Sequence, residues 1–271
     1  MAARIFLAQP LVAATTIALP KAQSRHLQVL RLQPGDALVL FNDEDGLEWP
    51  ADIVRIDRQV VEVRVGAARV VERELSVRVT LAFGVPANER MDALVEKATE
   101  LGVSVIQPLV CERSVVRLAG DRAEARRVHW SAVAASASEQ CGRVRIPHVA
   151  APIKLAAWLR GLGPVGAATP VDSGPVDDGA STGPAEAWGG RYVLSFDPSA
   201  ALPSASFANR VVATSPPCVI LSGPEGGLAP AEEASAVAAG FVRVSLGPRV
   251  LRADTAPLAL LAWLGLANAA G

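Results

Sequence analysis

Residues 218–230, CVILSGPEGGLAP, decide the fold of this chain. The apolar run CVIL is typical of a buried strand, and Pro230 suits the first turn of a helix. Between them, the glycines of GPEGG free the backbone for positive φ angles and for the close approach of a ligand. The stretch therefore predicts a strand, a tight loop and a helix, an arrangement whose loop often holds a ligand.

A second loop that contains glycine, LGPRVLRADTAP at 246–257, follows another apolar run, FVRVSL. Loops at the carboxyl ends of neighbouring parallel strands share one crevice, so we expect the two loops to form a single ligand site. The lack of a GKS or GKT sequence and the charge of Glu225 argue against a triphosphate and favour a neutral or cationic small molecule. From the two loops alone, tight turns with Asp254 as a helix cap are the alternative.

The first part of the chain predicts a small β-rich domain. Residues 27–65 contain short apolar runs that alternate with turn residues, among them Pro34-Gly35 and the NDEDG stretch at 42–46. We therefore place a barrel-like domain at residues 1–70. Its acidic and basic residues are roughly balanced, so charge alone does not indicate its partner.

From residue 75 onward the pattern changes. Probable strands alternate with helical patterns, including helices at about 121–140 and 155–159, which predicts an α/β domain with a mostly parallel sheet over 75–271. Residues 161–190 are rich in Gly, Pro, Ala and Asp and predict a flexible insertion. A GxGxxG spacing begins at Gly161, but it follows a helical pattern and precedes no helix, so we reject a dinucleotide site there.

Composition narrows the class of protein. The chain has 271 residues, of which 51% are hydrophobic and 20% charged, so it is not disordered throughout. Its formal net charge is −1, so a nucleic-acid partner would have to bind a local basic surface. The three cysteines are odd in number and form no CxxC pair, which predicts neither a disulfide framework nor a metal site and favours a reducing, cytoplasmic location.

Neither end of the chain predicts a membrane segment. The apolar N-terminal stretch is interrupted by Gln9 and Pro10, which argues against a signal peptide. The C-terminal stretch TAPLALLAWLGLANAA, at 255–270, is apolar on all sides but falls short of the ~20 residues that a bilayer span needs. We expect it to be a buried helix and expect no membrane partner.

Six motifs together identify a family. In chain order they are HLQVLRLQPGD (26–36), EKATELGV (96–103), ERS (112–114), EQCGRVRIP (139–147), GPEGG (223–227) and LGPRVLRADTA (246–256). The set resembles the RsmE family of SPOUT RNA methyltransferases over nearly the whole chain apart from residues 161–190. The resemblance implies S-adenosylmethionine-dependent methylation of N3 of one uridine, m3U1498, in the 16S rRNA of the small ribosomal subunit.

The resemblance also implies a fold and an assembly. The α/β domain would carry a C-terminal trefoil knot, an exception to the rule that chains are not knotted. The N-terminal domain would be a PUA-like β-barrel that binds RNA. The protein would act as a homodimer, with each active site completed by the second subunit.

Three loops would enclose the cofactor, if the resemblance holds. Its binding residues would be Phe196, Asp197, Pro198, Leu221, Ser222, Gly223, Glu225, Gly226, Gly227, Leu246, Gly247, Val250 and Leu251.

Two arginines are the candidates for catalysis. Uracil N3 is a poor nucleophile until it loses its proton, and a guanidinium at O2 or O4 would stabilise the resulting anion, a role that suits Arg252 or Arg249. The alternative is that these arginines pair with a carboxylate such as Asp254 or Glu225. This chain has Asp254 where the family usually has Glu, so a specific contact at that position does not carry over.

The predicted RNA-binding residues are His26 and Arg31 in the barrel, with Arg113 and Arg143 in the matched motifs. A contact in the active site is the alternative role for these residues. Lys97 and Glu100 fit either a polar pair beside the site or the polar side of an amphipathic helix.

Two other functions stay open at this point. A SPOUT enzyme could act on another RNA or on a ribose 2′-O acceptor, and a protein with this fold could bind RNA without catalysis. The two intact loops argue against the second, because a protein that only binds RNA has no need of a cofactor pocket.

Overall fold

The computed structural model describes residues 2–86, 89–116, 118–163, 190–198, 200 and 217–269. The chain divides into two compact units, one of Met1–Glu74 with Ser138–Ile146 and one of Leu75–Ala137 with Pro147–Gly271. The predicted flexible insertion lies outside the described residues over 164–189.

The first unit contains one sheet and one helix. Its elements are β1 (Ala3–Phe6), β2 (Thr16–Ala18), α1 (Lys21–Val29), β3 (Ala37–Phe41), β4 (Leu47–Ile56), β5 (Val61–Val65) and β6 (Arg69–Val70). The strands are ordered β1-β3-β4-β5-β2, and β6 pairs with β4. β1 and β3 are parallel, while the other pairs are antiparallel. Leu40, Val61 and Val63 lie in its fully buried core, so the predicted β-rich domain is confirmed.

Helix α1 is a finding that the strand pattern did not predict. The short apolar runs suggested strands from residue 27 onward, whereas residues 21–29 form a helix. Only Ser24 and Leu27 of this helix are buried. Two positions three residues apart are too few to show a helical period in the sequence.

The segment 138–146 belongs with the first unit, although the sequence suggested an uninterrupted second domain from residue 75. Hydrogen bonds explain this. The Phe6 backbone N–H donates to Glu139 Oε1 at 2.8 Å, and Arg4 Nη2 donates to the carbonyl oxygens of Gly142 and Arg143 at 3.0 and 3.1 Å. Arg145 Nη1 donates to the carbonyl oxygen of Asp43 at 2.6 Å. The EQCGRVRIP motif is therefore joined to the first unit by side-chain hydrogen bonds.

The second unit alternates strands and helices. Its elements are β7 (Val79–Gly84), α2 (Glu89–Glu100), β8 (Val105–Val110), α3 (Gly120–Cys141, whose last turn lies in the first unit), β9 (His148–Val149), β10 (Ile153–Lys154), α4 (Leu155–Gly161), β11 (Arg191–Leu194), β12 (Cys218–Ser222), α5 (Pro230–Ala238), β13 (Val242–Val244) and α6 (Thr255–Ala269). The strand order is β10-β8-β7-β12-β11-β13, with β9 also on β8. Every pair within the described residues is parallel. The predicted α/β fold with a mostly parallel sheet is confirmed, and the trefoil knot stays a prediction because residues 201–216 lie outside the described residues.

The C-terminal helix α6 is only half buried, so the prediction of a buried helix is wrong for one of its sides. Leu260, Leu261 and Leu264 are fully buried, whereas Leu266 is 74% exposed. Among the described helices, none combines the length and the apolar character needed to span a bilayer.

We predict a pH-dependent contribution of Asp43 to stability. Asp43 Oδ1 accepts the Ile146 backbone N–H at 2.7 Å, and burial raises the pKa of this carboxyl to about 6. A raised pKa means that the folded state holds the proton more tightly than the unfolded state does. Asp43 therefore adds its full contribution to the free energy of unfolding below its ordinary pKa of 3.8. That contribution is lost as the pH rises through the folded-state pKa of about 6.

Asp43→Asn should remove this dependence. The free energy of unfolding of the wild type, minus that of the variant, should fall by about 2 kcal/mol between pH 4 and pH 7. Urea unfolding followed by circular dichroism measures it. The control is Asp52→Asn, at an exposed position on β4, which should show no such fall. A difference for Asp43→Asn that stays constant over this range contradicts the prediction.

Candidate active site

Three adjacent parallel strands create a cleft at their carboxyl ends. β11 lies between β12 and β13, with Val193 opposite Leu221 on one side and Arg243 on the other. The loops that follow these strands line a cleft of about 480 Å³, within the range of about 300–1,000 Å³ typical of small-molecule sites. The two loops that the sequence singled out lie side by side here.

Most of the predicted site residues line this cleft. From the predicted sets, the lining residues are Arg113, Phe196, Asp197, Ser222, Gly223, Glu225, Gly226, Gly227, Leu246, Gly247, Arg249, Val250, Leu251 and Arg252. Further lining residues that the sequence did not indicate include Ser195, Pro224, Leu228, Glu233, Arg243 and Val244.

Two of the predicted cofactor residues do not line it. Leu221 is fully buried and packs in an apolar cluster with Val193 and Val219. Alternate side chains of a strand share one face, so Leu221 follows Val219 into the core. Pro198 is exposed but lies outside the cleft.

The GPEGG loop has a conformation that requires glycine. The Gly227 backbone N–H donates to the carbonyl oxygen of Pro224 at 2.8 Å, and Gly227 has a φ of 68°. At Gly223, an added Cβ would lie 2.6 Å from the backbone nitrogen of Leu228, closer than real Cβ contacts come. The loop can therefore fold back on itself only because position 223 has no side chain.

Glu232 joins this loop to the ERS motif. Ala229 precedes helix α5 and has no side-chain oxygen to cap it, but Glu232 Oε2 accepts the Ala229 N–H at 3.0 Å. Glu232 Oε1 accepts the backbone N–H of Glu112 at 2.8 Å. Next to Glu112, Arg113 Nη1 donates to the carbonyl oxygens of Gly226 and Leu228 at 3.0 and 3.4 Å. Arg113, predicted as an RNA or active-site contact, thus lines the cleft and supports its wall.

A charged network holds the third loop, which follows β11. Ser195 Oγ donates to Glu233 Oε1 at 2.7 Å and accepts the backbone N–H of Asp197 at 3.0 Å. Arg243 Nε donates to the same Glu233 oxygen at 2.6 Å and lies 3.8 Å from Asp197 Oδ2. The hydrogen bond to Glu233 raises the pKa of Arg243. The sequence did not predict a role for Glu233 or Arg243. Their contacts with the loop after β11 depend on the pairing of β11 with β12 and β13, which local patterns do not show.

Arg249 and Arg252 are the charged groups that the cleft leaves available. Both are exposed, and within the described residues neither side chain has a hydrogen bond or an ion pair. The carboxylates proposed as their alternative partners are engaged elsewhere. Asp254 Oδ1 accepts the Thr255 N–H at 3.1 Å, and Glu225 Oε1 lies 3.7 Å from Arg90 Nη1. The two guanidiniums are thus free to contact an anionic or carbonyl-bearing substrate.

The other predicted RNA-binding residues are placed differently. Arg143 is only 4% exposed, and its Nε donates to Glu74 Oε2 at 3.0 Å, so we correct its assignment from an RNA contact to an internal ion pair of the first unit. His26, on α1, and Arg31, just after it, are both exposed. Arg31 has a φ of 58°, a left-handed conformation that ends the helix.

Lys97 and Glu100 form the polar side of helix α2. Lys97 Nζ donates to Glu96 Oε1 and Glu100 Oε1 at 2.8 Å each, and the Lys97 side chain is 49% exposed. The described part of the chain contains no cluster of three or more His, Cys, Asp or Glu suited to a metal ion.

Comparison with known proteins gives this architecture a family. Residues 73–265 match the family model of the RNA methyltransferase domain, and residues 19–66 match that of the RNA methyltransferase PUA domain. The chain belongs to the RsmE family of RNA methyltransferases. Its first unit therefore contains the PUA domain, and its second unit contains most of the methyltransferase domain, with the cleft.

Individual relatives are similar over most of their length. Ribosomal RNA small subunit methyltransferase E of Synechocystis is 30% identical over 97% of this chain and 77% of its own. The Bacillus subtilis protein of the same name is 26% identical over 92% and 90%. A crystal structure of ribosomal RNA small subunit methyltransferase E from Neisseria gonorrhoeae, bound to S-adenosyl methionine, is 28% identical, covers 98% of both chains and has a TM-score of 0.81.

We predict that Gly223→Ala destabilises the second unit. The new methyl group would force the 223–228 loop open, and overpacking of this kind lowers stability by roughly 2 kcal/mol. The midpoint of urea unfolding measures the effect. Gly161→Ala is the control, because no atom lies within 4 Å of a Cβ at this helical position. Equal unfolding midpoints for Gly223→Ala and the wild type would rule the prediction out.

Proposed function

We propose that this protein transfers a methyl group from S-adenosylmethionine to N3 of a single uridine in the 16S rRNA of the small ribosomal subunit. The observation that carries the proposal is the cleft. It combines two glycine loops at the carboxyl ends of parallel strands with Arg249 and Arg252, which lack partners among the described residues. The names of the relatives, ribosomal RNA small subunit methyltransferase E, support the same class of RNA substrate.

The cleft fits the proposed cofactor. At Gly227 and Gly247 the φ angles are 68° and 99°, and no atom of the described residues lies within 4 Å of where a Cβ would stand. Any other residue would fill that space, so both positions leave backbone exposed for close contact with a ligand. The cofactor carries positive charge on its sulfonium and amino groups, and Asp197 and Glu225 are carboxylates of the cleft whose ion-pair distances to Arg243 and Arg90 are as long as 3.8 and 3.7 Å.

The residues of this chain contribute mainly by positioning. When bound, S-adenosylmethionine supplies an activated methyl group on a sulfonium sulfur. In-line transfer of such a group requires that donor and acceptor be held in line, and the three loops would contribute by holding the donor. The loops of Gly223 and Gly247 would form two walls and the loop of Asp197 the third.

Arg252 or Arg249 would act on the acceptor. Removal of the N3 proton leaves negative charge on the uracil oxygens, and a guanidinium near O2 or O4 stabilises that charge. Arginine stays protonated under ordinary conditions, so it stabilises the anion and does not itself take the proton.

The PUA domain would supply further contacts to the RNA, with His26 and Arg31 exposed on its surface. We place the protein in the cytoplasm, where small ribosomal subunits are found. All three cysteines have free thiols, as expected in a reducing compartment.

Transfer of labelled methyl from S-adenosylmethionine to small subunits that lack the modification tests the function. We expect label on N3 of one 16S uridine after nuclease digestion. Arg252→Ala should lower kcat by about 100- to 1,000-fold while cofactor affinity is kept, because the guanidinium acts on charge that develops during the reaction. Arg160→Ala, an exposed arginine of α4 outside the cleft, is the matched control and should keep full activity.

Three other results would contradict part or all of the proposed function. Label on a ribose 2′-oxygen or on another RNA would replace the proposed acceptor. Cofactor binding without any transfer would mean that the small subunit is not the substrate. A wild type that binds no S-adenosylmethionine would leave an RNA-binding protein as the remaining function.

We further propose that the protein is a homodimer that associates through helix α6. Leu258, Ala259, Ala262 and Leu266 recur at helical spacing, and Ala259 and Leu266 are exposed. Leu258, Ala259 and Ala262 also line a groove of about 420 Å³ shared with α2. An exposed apolar stripe beside a groove is typical of a subunit contact.

Leu266→Glu should shift the protein from dimer to monomer, because the carboxylate would have to lose its water in an apolar contact. Sedimentation equilibrium at micromolar concentration measures the mass, and at least a tenfold rise in the dissociation constant is expected. Val128→Glu, at an exposed apolar position of α3, is the control. A wild type that sediments as a monomer at tens of micromolar contradicts the homodimer.

A further inference from the structure

Phe196 is the exposed aromatic side chain of the cleft. Of the Phe, Tyr and Trp residues in the described part of the chain, it is the one that is largely exposed, at 69%. Val250, from the second glycine loop, lines the same cleft and is 82% exposed. By contrast, the lining residues Ser222, Pro224 and Val244 are buried. Phe196 and Val250 therefore mark the outer edge of the cleft.

The loop that carries Phe196 is held on both sides of it. Ser195 and Asp197, its two chain neighbours, are joined by the 3.0 Å hydrogen bond from the Asp197 N–H to Ser195 Oγ. Ser195 is further fixed by Glu233, and Arg243 lies close to both acidic groups. A backbone fixed in this way presents the ring before a ligand arrives, so less conformational entropy is lost on binding.

The surroundings of the ring suit a nucleotide. An aromatic face stacks with any nucleobase, and enzymes that act on a base first take it out of its stack. The guanidiniums of Arg249 and Arg252, at the same cleft and unpaired among the described residues, can contact the phosphate or the carbonyl oxygens of such a nucleotide.

The exposed position of the Phe196 ring fits contact with the acceptor base better than contact with the cofactor. Bound small molecules have about 70–90% of their surface buried in the interior of a site. The exposed edge is where a base that arrives from a large RNA would enter. The backbone of the Ser195–Asp197 loop can still form the cofactor wall while the ring of Phe196 faces outward.

From these observations we propose that Phe196 and Val250 form an apolar platform that holds the extruded acceptor base of the RNA. This assignment moves the ring of Phe196 from the predicted cofactor wall to the acceptor side. It rests on the proposed RNA methyltransferase function and adds the residues that hold the base.

Substitutions at position 196 test the platform. The affinity for S-adenosylmethionine is measured by calorimetry, and kcat/KM for methyl transfer is measured with small subunits that lack the modification. Phe196→Leu should lower kcat/KM about 10- to 100-fold, as expected for a lost base stack, while cofactor affinity changes less than about twofold. Phe196→Trp should restore most of the activity, because stacking needs a flat ring and not this particular residue.

Val250→Ala and Val242→Ala form a matched pair. Both valines are exposed, at 82% and 57%, but only Val250 lines the cleft. We expect a lower kcat/KM for Val250→Ala and an unchanged value for Val242→Ala.

The following results would contradict the proposed platform. If Phe196→Leu weakens cofactor binding in parallel with activity, the ring packs on the cofactor and not on the base. If Phe196→Leu is as active as the wild type, or if Phe196→Trp is as impaired as Phe196→Leu, stacking on this ring has no role. A wild type that methylates no RNA overturns the proposed function and the platform together, whereas an active wild type with an indifferent Phe196 overturns the platform alone.

Discussion

The parallel pairing of β11 with both β12 and β13 is the constraint on which the site depends. Because the three strands run in one direction, the loops after Leu194, Ser222 and Val244 leave the sheet at the same edge. Segments far apart in the chain thereby become three walls of one cleft. The glycine loops form a ligand cleft because this pairing places them side by side. A glycine turn elsewhere would only reverse the direction of the chain.

The charged side chains of the cleft fall into two sets. One set fixes the loops by hydrogen bonds, and the other is available to contact a ligand. Glu233 accepts from Ser195 and Arg243, and Glu232 accepts from two backbone N–H groups. These contacts fix the loops and provide hydrogen-bond donors for the two partly buried carboxylates. Arg249 and Arg252 make no such contact among the described residues, so their charge stays available at the cleft.

The sequence predicted the alternating fold and the two glycine loops well, because their signals are local: apolar runs, glycines and a proline at fixed offsets. It missed helix α1, where Ser24 and Leu27 alone are buried, and it placed Leu221 in the site although strand alternation turns it into the core. The partnership of Glu233 with Arg243 was equally hidden, because it depends on which strands are neighbours. Register and strand order are properties of tertiary packing, which local patterns do not encode.

An arginine in the sequence is by itself a poor guide to nucleic-acid contact. Arg143 is buried against Glu74, Arg113 supports two carbonyl oxygens of the GPEGG loop, and Arg243 is paired with Glu233. A chain with a formal net charge of −1 has no general attraction for a polyanion, so each such guanidinium reduces what remains for RNA. Under the proposed function, RNA recognition would use exposed arginines, among them Arg249 and Arg252 at the cleft and Arg31 in the first unit, together with contacts that carry no charge. An exposed aromatic ring on a fixed loop supplies such a contact, since stacking on a base does not require positive charge.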